Sequence, residues 1–317
     1  MSNLEVRPDE SISDSAEVAP TPVREVVPGR EVVLGGTRGM AVVRTLPTRD
    51  RRMVGAWCFV DHFGPETVRD GGMRVPPHPH TGLQTVTWLV EGEVRHTDSL
   101  GSDQRIRPGQ LNLMTAGRGI AHAEQSPPDA APVLHGLQLW VSLPDAYRWT
   151  DPGFEHHADL PRFSAGGVTG TVLVGSLGGV VSPATAYSPL VGAQLAVRAE
   201  AEVPLREDFE YAAVTIDGSP VVDGVALPKG DLLYLGCGRS SLPLDGQGRL
   251  LLLGGEPFAE QIVMWWNFIG RSHEEIARFR EDWGAGRGFA PVGGFDGAPL
   301  PAPELPTTQL KPRGRQR

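Results

Sequence analysis

The chain has 317 residues, with 38 acidic and 29 basic side chains and a formal net charge of −9, a balance that argues against binding nucleic acid by phosphate neutralisation. No run of about 18 apolar residues occurs, which excludes a membrane-crossing helix. The length suggests two domains, and 40 glycines with 29 prolines favour short strands and turns over long helices.

Residues 1–25 are acidic, contain Ser and Pro and are poor in aromatics, which predicts a disordered tail. They lack the basic-then-apolar order of a signal peptide. From Arg30 onward, short apolar stretches (31–34, 41–44, 57–60, 83–90, 93–95, 110–114 and 134–143) are separated by Gly35-Gly36, Glu91-Gly92, Gly101-Ser102-Asp103 and Pro108-Gly109. Closely spaced strands with turn residues between them predict an antiparallel sandwich or barrel. Cys58 falls inside one of these stretches and reads as a small core residue. With Cys237 the only other cysteine, both thiols are expected to stay reduced, which suits a cytoplasmic protein.

After a looser segment holding His156 and His157, a second series follows at 170–174, 192–198, 211–216, 232–235 and 250–253. Pro228-Lys229-Gly230-Asp231 repeats the cue of Pro108-Gly109-Gln110, hinting at two copies of one barrel-like unit. Ser272 and Glu275 fit a capping box, and Ile276, Phe279 and Trp283 share one helical face until Gly284 and Gly286 end it. The resulting division is a disordered 1–25, a first domain at 26–150, a linker at 151–185, a second domain at 186–290 and a disordered tail at 291–317. The basic end of that tail, from Lys311 to Arg317, reads as solvated.

Two histidine-containing pairs carry the chemistry. Side chains at i and i+2 of a strand leave the same face, so His78 and His80 can point into one cavity. His122 and Glu124 repeat that spacing. Two adjacent strands with such pairs supply three imidazoles and one carboxylate, and leave open positions at a six-coordinate metal. Iron, manganese, nickel, copper and zinc all suit that set, and with no cysteine nearby a closed structural zinc site is not expected. Between His157 and His273 there is no histidine, so the second domain has no comparable set. Counting on along the strand places Gln84 on the face of His78 and His80. There it either orients a bound water or substrate oxygen, or is a buried amide bonded to backbone. His62 and His135 read as structural, His96 as a half-exposed strand position and His273 as exposed.

The strings DHFGP (61–65), HPHTG (78–82), MTAGRGIAHAE (114–124), GLQLWVSLP (136–144) and GGEPFAEQIVMWWNF (254–268) resemble the pirin family of the cupin superfamily, over about 23–283. The resemblance implies an all-β fold of two stacked cupin-type barrels with a short C-terminal helix, and one iron ion in the first barrel. The family's ligands carry by position onto His78, His80, His122 and Glu124.

It also implies two kinds of function. One is an oxygen-dependent, quercetin 2,3-dioxygenase-like enzyme acting on a phenolic or enolic substrate, with Glu124 as general base as well as ligand. The other is a metal- or redox-responsive regulator that binds a transcription factor or metabolic enzyme. A monomer is expected, with no direct contact to nucleic acid or membrane.

Overall fold

A computed structural model of the chain describes residues 11–12, 21–34, 40–67 and 72–315. The strands pair antiparallel throughout and build two β-barrels. The first is enclosed by a seven-stranded and a four-stranded sheet. The seven-stranded sheet runs, in spatial order, Gly153–His157, Leu111–Thr115, Leu83–Glu91, Val133–Ser142, Trp57–Thr67, Met40–Leu46 and Arg30–Leu34. Its partner runs Arg74–His80, Ile120–Gln125, Val94–Asp98 and Asp103–Ile106. The second barrel is a ten-stranded sheet whose central members are Leu190–Val197, Ser241–Gly255 and Glu210–Val222.

The run Leu250-Leu251-Leu252-Leu253 shows how the barrels meet. A strand with one wet face alternates, whereas one buried on both faces reads as continuously apolar. Leu250 and Leu252 face the core of the second barrel, while Leu251 and Leu253 join the large core shared with the first. Trp57 links the two directly, its indole N–H donating to the carbonyls of Val191 (3.1 Å) and Gly254 (3.2 Å). Cys58 and Cys237 are buried and unbridged, and burial pushes both thiols above their usual range.

The division along the chain is less tidy than composition suggests. Glu25–Val27 pairs with Leu232–Gly236 and so adds a strand to the second barrel before the first begins. Gly153–His157, expected in the linker, pairs with Leu111–Thr115 as an edge of the first barrel. Arg162–Ala165 and Val168–Leu177 already belong to the second. Most of the acidic N-terminal stretch lies outside the described residues.

The helix His273–Gly284 forms where its cap predicts, with Ser272 Oγ accepting from the Glu275 N–H at 3.3 Å. Ile276 and Phe279 pack with Trp265, Trp266, Phe268 and Ala121 against the first barrel, so the chain returns there after completing the second. Among the described residues beyond Pro291 there is almost no regular structure, as the Pro and Gly content implies, yet the segment is anchored. The Leu300 N–H donates to the Pro77 carbonyl (2.8 Å), Trp283 Nε1 donates to the Leu300 carbonyl (2.8 Å), and Leu310 is buried. A few apolar side chains and free backbone donors suffice to dock a chain that cannot form a helix or strand.

Candidate metal centre

The HPH strand, Arg74–His80, and the strand Ile120–Gln125 are neighbours, with Ile120 opposite His80 and His122 opposite His78. Pro76 and Pro77 carry no backbone donor, and the register slips beside them, so that Glu124 faces Val75. Alternation sends His78, His80, His122 and Glu124 inward, and all four are buried. One atom from each of His78, His80 and His122 lies within 4.8 Å of the other two, the only such cluster among the described residues.

Glu124 is adjacent to that cluster rather than inside it, with Oε1 3.5 Å from Thr87 Oγ1. Thr87 in turn donates to Gln138 Oε1 at 3.1 Å. Gln138 stands opposite both Thr87 and Asp61, so a polar row crosses the sheet facing the imidazoles and ends at the buried Asp61–Arg44 pair, 2.8 Å apart.

The donor set suits a metal ion. His80 Nε2 and His122 Nε2 lie 3.1 Å apart, their ring edges converging. His78 Nδ1 is 2.7 Å from the Pro76 carbonyl. A carbonyl only accepts, so His78 carries its hydrogen on Nδ1 and keeps the Nε2 lone pair for a ligand bond. Burial pushes His78 down to about 4 and holds His80 and His122 well below the usual histidine range, with the neighbouring imidazoles adding to the effect. All three are therefore neutral at pH 7, the form that ligates. Trp140, stacked on Phe59, closes one side with its ring edge-on to His80 at 5.2 Å between centroids. Its buried indole N–H has no acceptor among the described residues.

Among the described residues, the contacts of Gln84 lead away from the imidazoles. Its amide donates to Thr115 Oγ1 (3.0 Å) and the Thr185 carbonyl (3.1 Å), at the boundary between the barrels. Thr85 and Thr87 take the inward face, opposite Trp140 and Gln138. Parity counted from His80 fails because Thr81-Gly82 is a turn into the other sheet. Gly82 has φ +69°, and a Cβ there would meet the Ile269 carbonyl oxygen at 2.3 Å.

The remaining histidines separate clearly. The Nε2 atoms of His62 and His135 lie 2.8 Å apart on the side facing Lys229. His156 bonds Asn112 Oδ1 (2.7 Å), His157 bonds Glu155 (3.0 Å), and His273 Nδ1 accepts from the Leu310 N–H (3.1 Å). His96, read from sequence as half-exposed, is buried with Nδ1 3.2 Å from His122 Nδ1. The spacing of His96 and Asp98, one residue apart on the next strand, was the signal that could have found it. Asn267, whose backbone bonds His80, comes from beyond the second barrel, and no local pattern announces it.

Comparison with known proteins bears on this arrangement. The Pirin family model matches residues 39–141 and the Pirin C-terminal cupin domain model matches 190–289. A Pseudomonas aeruginosa protein named "Putative quercetin 2,3-dioxygenase" is 47% identical over 312 residues, covering 96% of this chain and 98% of that one. A pirin-like protein of Caulobacter vibrioides is 36% identical over 257 residues, covering 78% and 88%. The crystal structure of a quercetin 2,3-dioxygenase from Acinetobacter baumannii superposes with a TM-score of 0.86 at 42% identity, covering 91% of this chain and 98% of that one. With both domain models matched in order and relatives aligned over nearly its whole length, the chain belongs to the pirin family of two-barrel cupins.

Proposed function

We propose that the chain is a mononuclear metal enzyme of quercetin 2,3-dioxygenase type, with His78, His80, His122 and Glu124 holding one divalent first-row ion, iron being the expected metal. The observation that carries this reading is the convergence of three buried, neutral imidazoles beside a buried carboxylate. The likeness to proteins bearing the dioxygenase name supports it.

The bound metal would supply Lewis-acid and redox activation of a phenolic or enolic substrate and of oxygen. The chain's own residues do the rest. Glu124 takes the proton of the substrate hydroxyl on a carboxylate oxygen, acting as general base. The Thr87 hydroxyl lies 3.5 Å from Glu124 Oε1 and 3.1 Å from Gln138 Oε1, so its single hydrogen is shared between the carboxylate and the amide. Trp140 meets His80 edge-on and brings to that side an indole N–H that no acceptor among the described residues takes. Phe59 and the surrounding core exclude water from the reacting oxygen.

Metal analysis of the full-length protein, paired with oxygen uptake on quercetin, tests the reading. One first-row ion per chain is expected, lost in a folded His80→Ala variant together with oxygen consumption. Folded wild-type protein that stays metal-free after exposure to iron, manganese, nickel and copper would overturn it. Metal-loaded protein inert toward every flavonol would leave the metal site standing and favour a regulatory role.

A further inference from the structure

We propose that His96 and Asp98 form a positioning relay that fixes the tautomer of His122 and so sets its strength as a ligand. The inference rests on the metal-centre reading above and extends it to residues outside the ligand set.

The strand Val94–Asp98 lies beside Ile120–Gln125, with Asp98 opposite His122 and His96 opposite Glu124. His96 and Asp98 are 3% and 2% exposed, too buried for water to replace any bond they make. His122 turns Nε2 toward His80 (3.1 Å) and Nδ1 toward His96 Nδ1 (3.2 Å). Two nitrogens that face each other away from the metal position need one hydrogen between them. His96 Nε2 lies 3.1 Å from Asp98 Oδ2, and an ionised carboxylate only accepts. His96 therefore carries its hydrogen on Nε2 and presents the Nδ1 lone pair. His122 must then carry its own hydrogen on Nδ1, which leaves Nε2 free on the ligating side. Along Asp98–His96–His122 each bond forces the next, while His80 Nε2 and His122 Nε2, 3.1 Å apart, both keep their lone pairs for the shared metal position.

The rest of the surroundings hold the relay still. Asp98 Oδ1 accepts from the N–H groups of Leu100 (2.9 Å) and Ser102 (3.0 Å), and the His96 ring stacks on Phe154 with centroids 4.3 Å apart. The support is also unequal among the three imidazoles. His78 is backed by the neutral Pro76 carbonyl, whereas His122 is backed, through an imidazole, by a carboxylate. Hydrogen bonding of this kind raises ligand basicity and is worth roughly 10–100-fold in metal affinity.

Asp98→Asn is the informative variant. The backbone donors of Leu100 and Ser102 would hold the amide oxygen where Oδ1 now sits, turning the NH2 group toward His96. That reverses the hydrogen on His96 and sets it against His122 Nδ1–H, pushing His122 toward the wrong tautomer. Nitrogen-15 NMR of the metal-free, full-length protein reads the tautomer directly, and cobalt(II) affinity is read by competition with a chelator.

Wild type is expected to show His122 as Nδ1–H, Asp98→Asn to show a mixture or the reverse, and cobalt affinity to fall about 10–100-fold. His96→Gln, whose amide oxygen can still accept from His122, should keep the Nδ1–H tautomer and lose less affinity. An unchanged His122 tautomer in Asp98→Asn, or affinity within about twofold of wild type, overturns the relay while leaving the metal centre intact. Wild type with the Nδ1–H tautomer but no cobalt binding overturns the metal centre itself, and with it the relay's purpose.

Discussion

At the scale of single residues, the first barrel keeps its polar groups where each has a reason to be buried. Burying a polar group without a partner costs several kcal/mol, roughly 2–7 on transfer scales, so four inward residues beside an apolar core imply a compensating interaction. Glu124 is the residue whose role is most separable. In Glu124→Gln the shape is kept and the base removed. Oxygen uptake on a flavonol should fall by roughly 10²–10⁴-fold, while a metal held by three imidazoles stays bound. Measuring uptake and metal content on the same preparation checks both, and an active Glu124→Gln variant would remove the carboxylate from the proton transfer.

His62 and His135 make a different prediction. Burial lowers His62 to about 3 and His135 to about 4, from an ordinary value of 6.5. The unfolded chain therefore takes up these protons first. Their stabilising contribution is complete above pH 6.5 and is lost progressively as the pH falls toward 3. In His62→Asn the urea midpoint should vary less between pH 6.5 and 4 than in wild type. An equal slope would show that other groups govern acid unfolding.

At the scale of elements, the placement of the two histidine-bearing pairs was legible because both lie within uninterrupted strands, where parity is a local rule. Gln84 leaves the face of His78 and His80 because parity does not pass through Thr81-Gly82, where the chain turns into the opposite sheet; of its two sequence readings, the buried amide bonded to backbone is the one its contact with the Thr185 carbonyl matches. His96 and Asp98 follow the same i, i+2 rule, but what buries them is the company of another strand and of Phe154, which spacing alone does not reveal. Asn267 and the anchored segment beyond Pro291 depend on contacts across nearly the full chain. Composition says that such a segment forms no helix or strand; it does not say whether it docks.

The turn itself can be tested. Gly82→Ala combines a left-handed backbone, worth about 1–2 kcal/mol, with a Cβ 2.3 Å from the Ile269 carbonyl oxygen. It should lower the thermal midpoint and, by shifting the end of the HPH strand, weaken metal binding. Wild-type values for both would mean that the turn does not fix the position of His80.

At the scale of the molecule, the two barrels share one core. Leu251 and Leu253 from the second pack with Trp57, Phe59 and Trp140 from the first, the strand Glu25–Val27 crosses into the second barrel, and the C-terminal helix returns to the first. Neither barrel is self-contained, so calorimetry should record a single cooperative transition for the metal-free protein. Two well-separated transitions would contradict this coupling. The division of labour follows from side-chain chemistry: the second barrel holds a large apolar cluster and carries no histidine on its strands, and it braces a first barrel whose interior is given over to imidazole and carboxylate. The central claim is that one metal ion sits among His78, His80, His122 and Glu124. Anomalous diffraction from crystals of the metal-loaded protein, collected at the ion's absorption edge, tests it most directly. A single peak among those four side chains is the predicted result; a loaded crystal whose peak lies elsewhere, or that shows none, would contradict it.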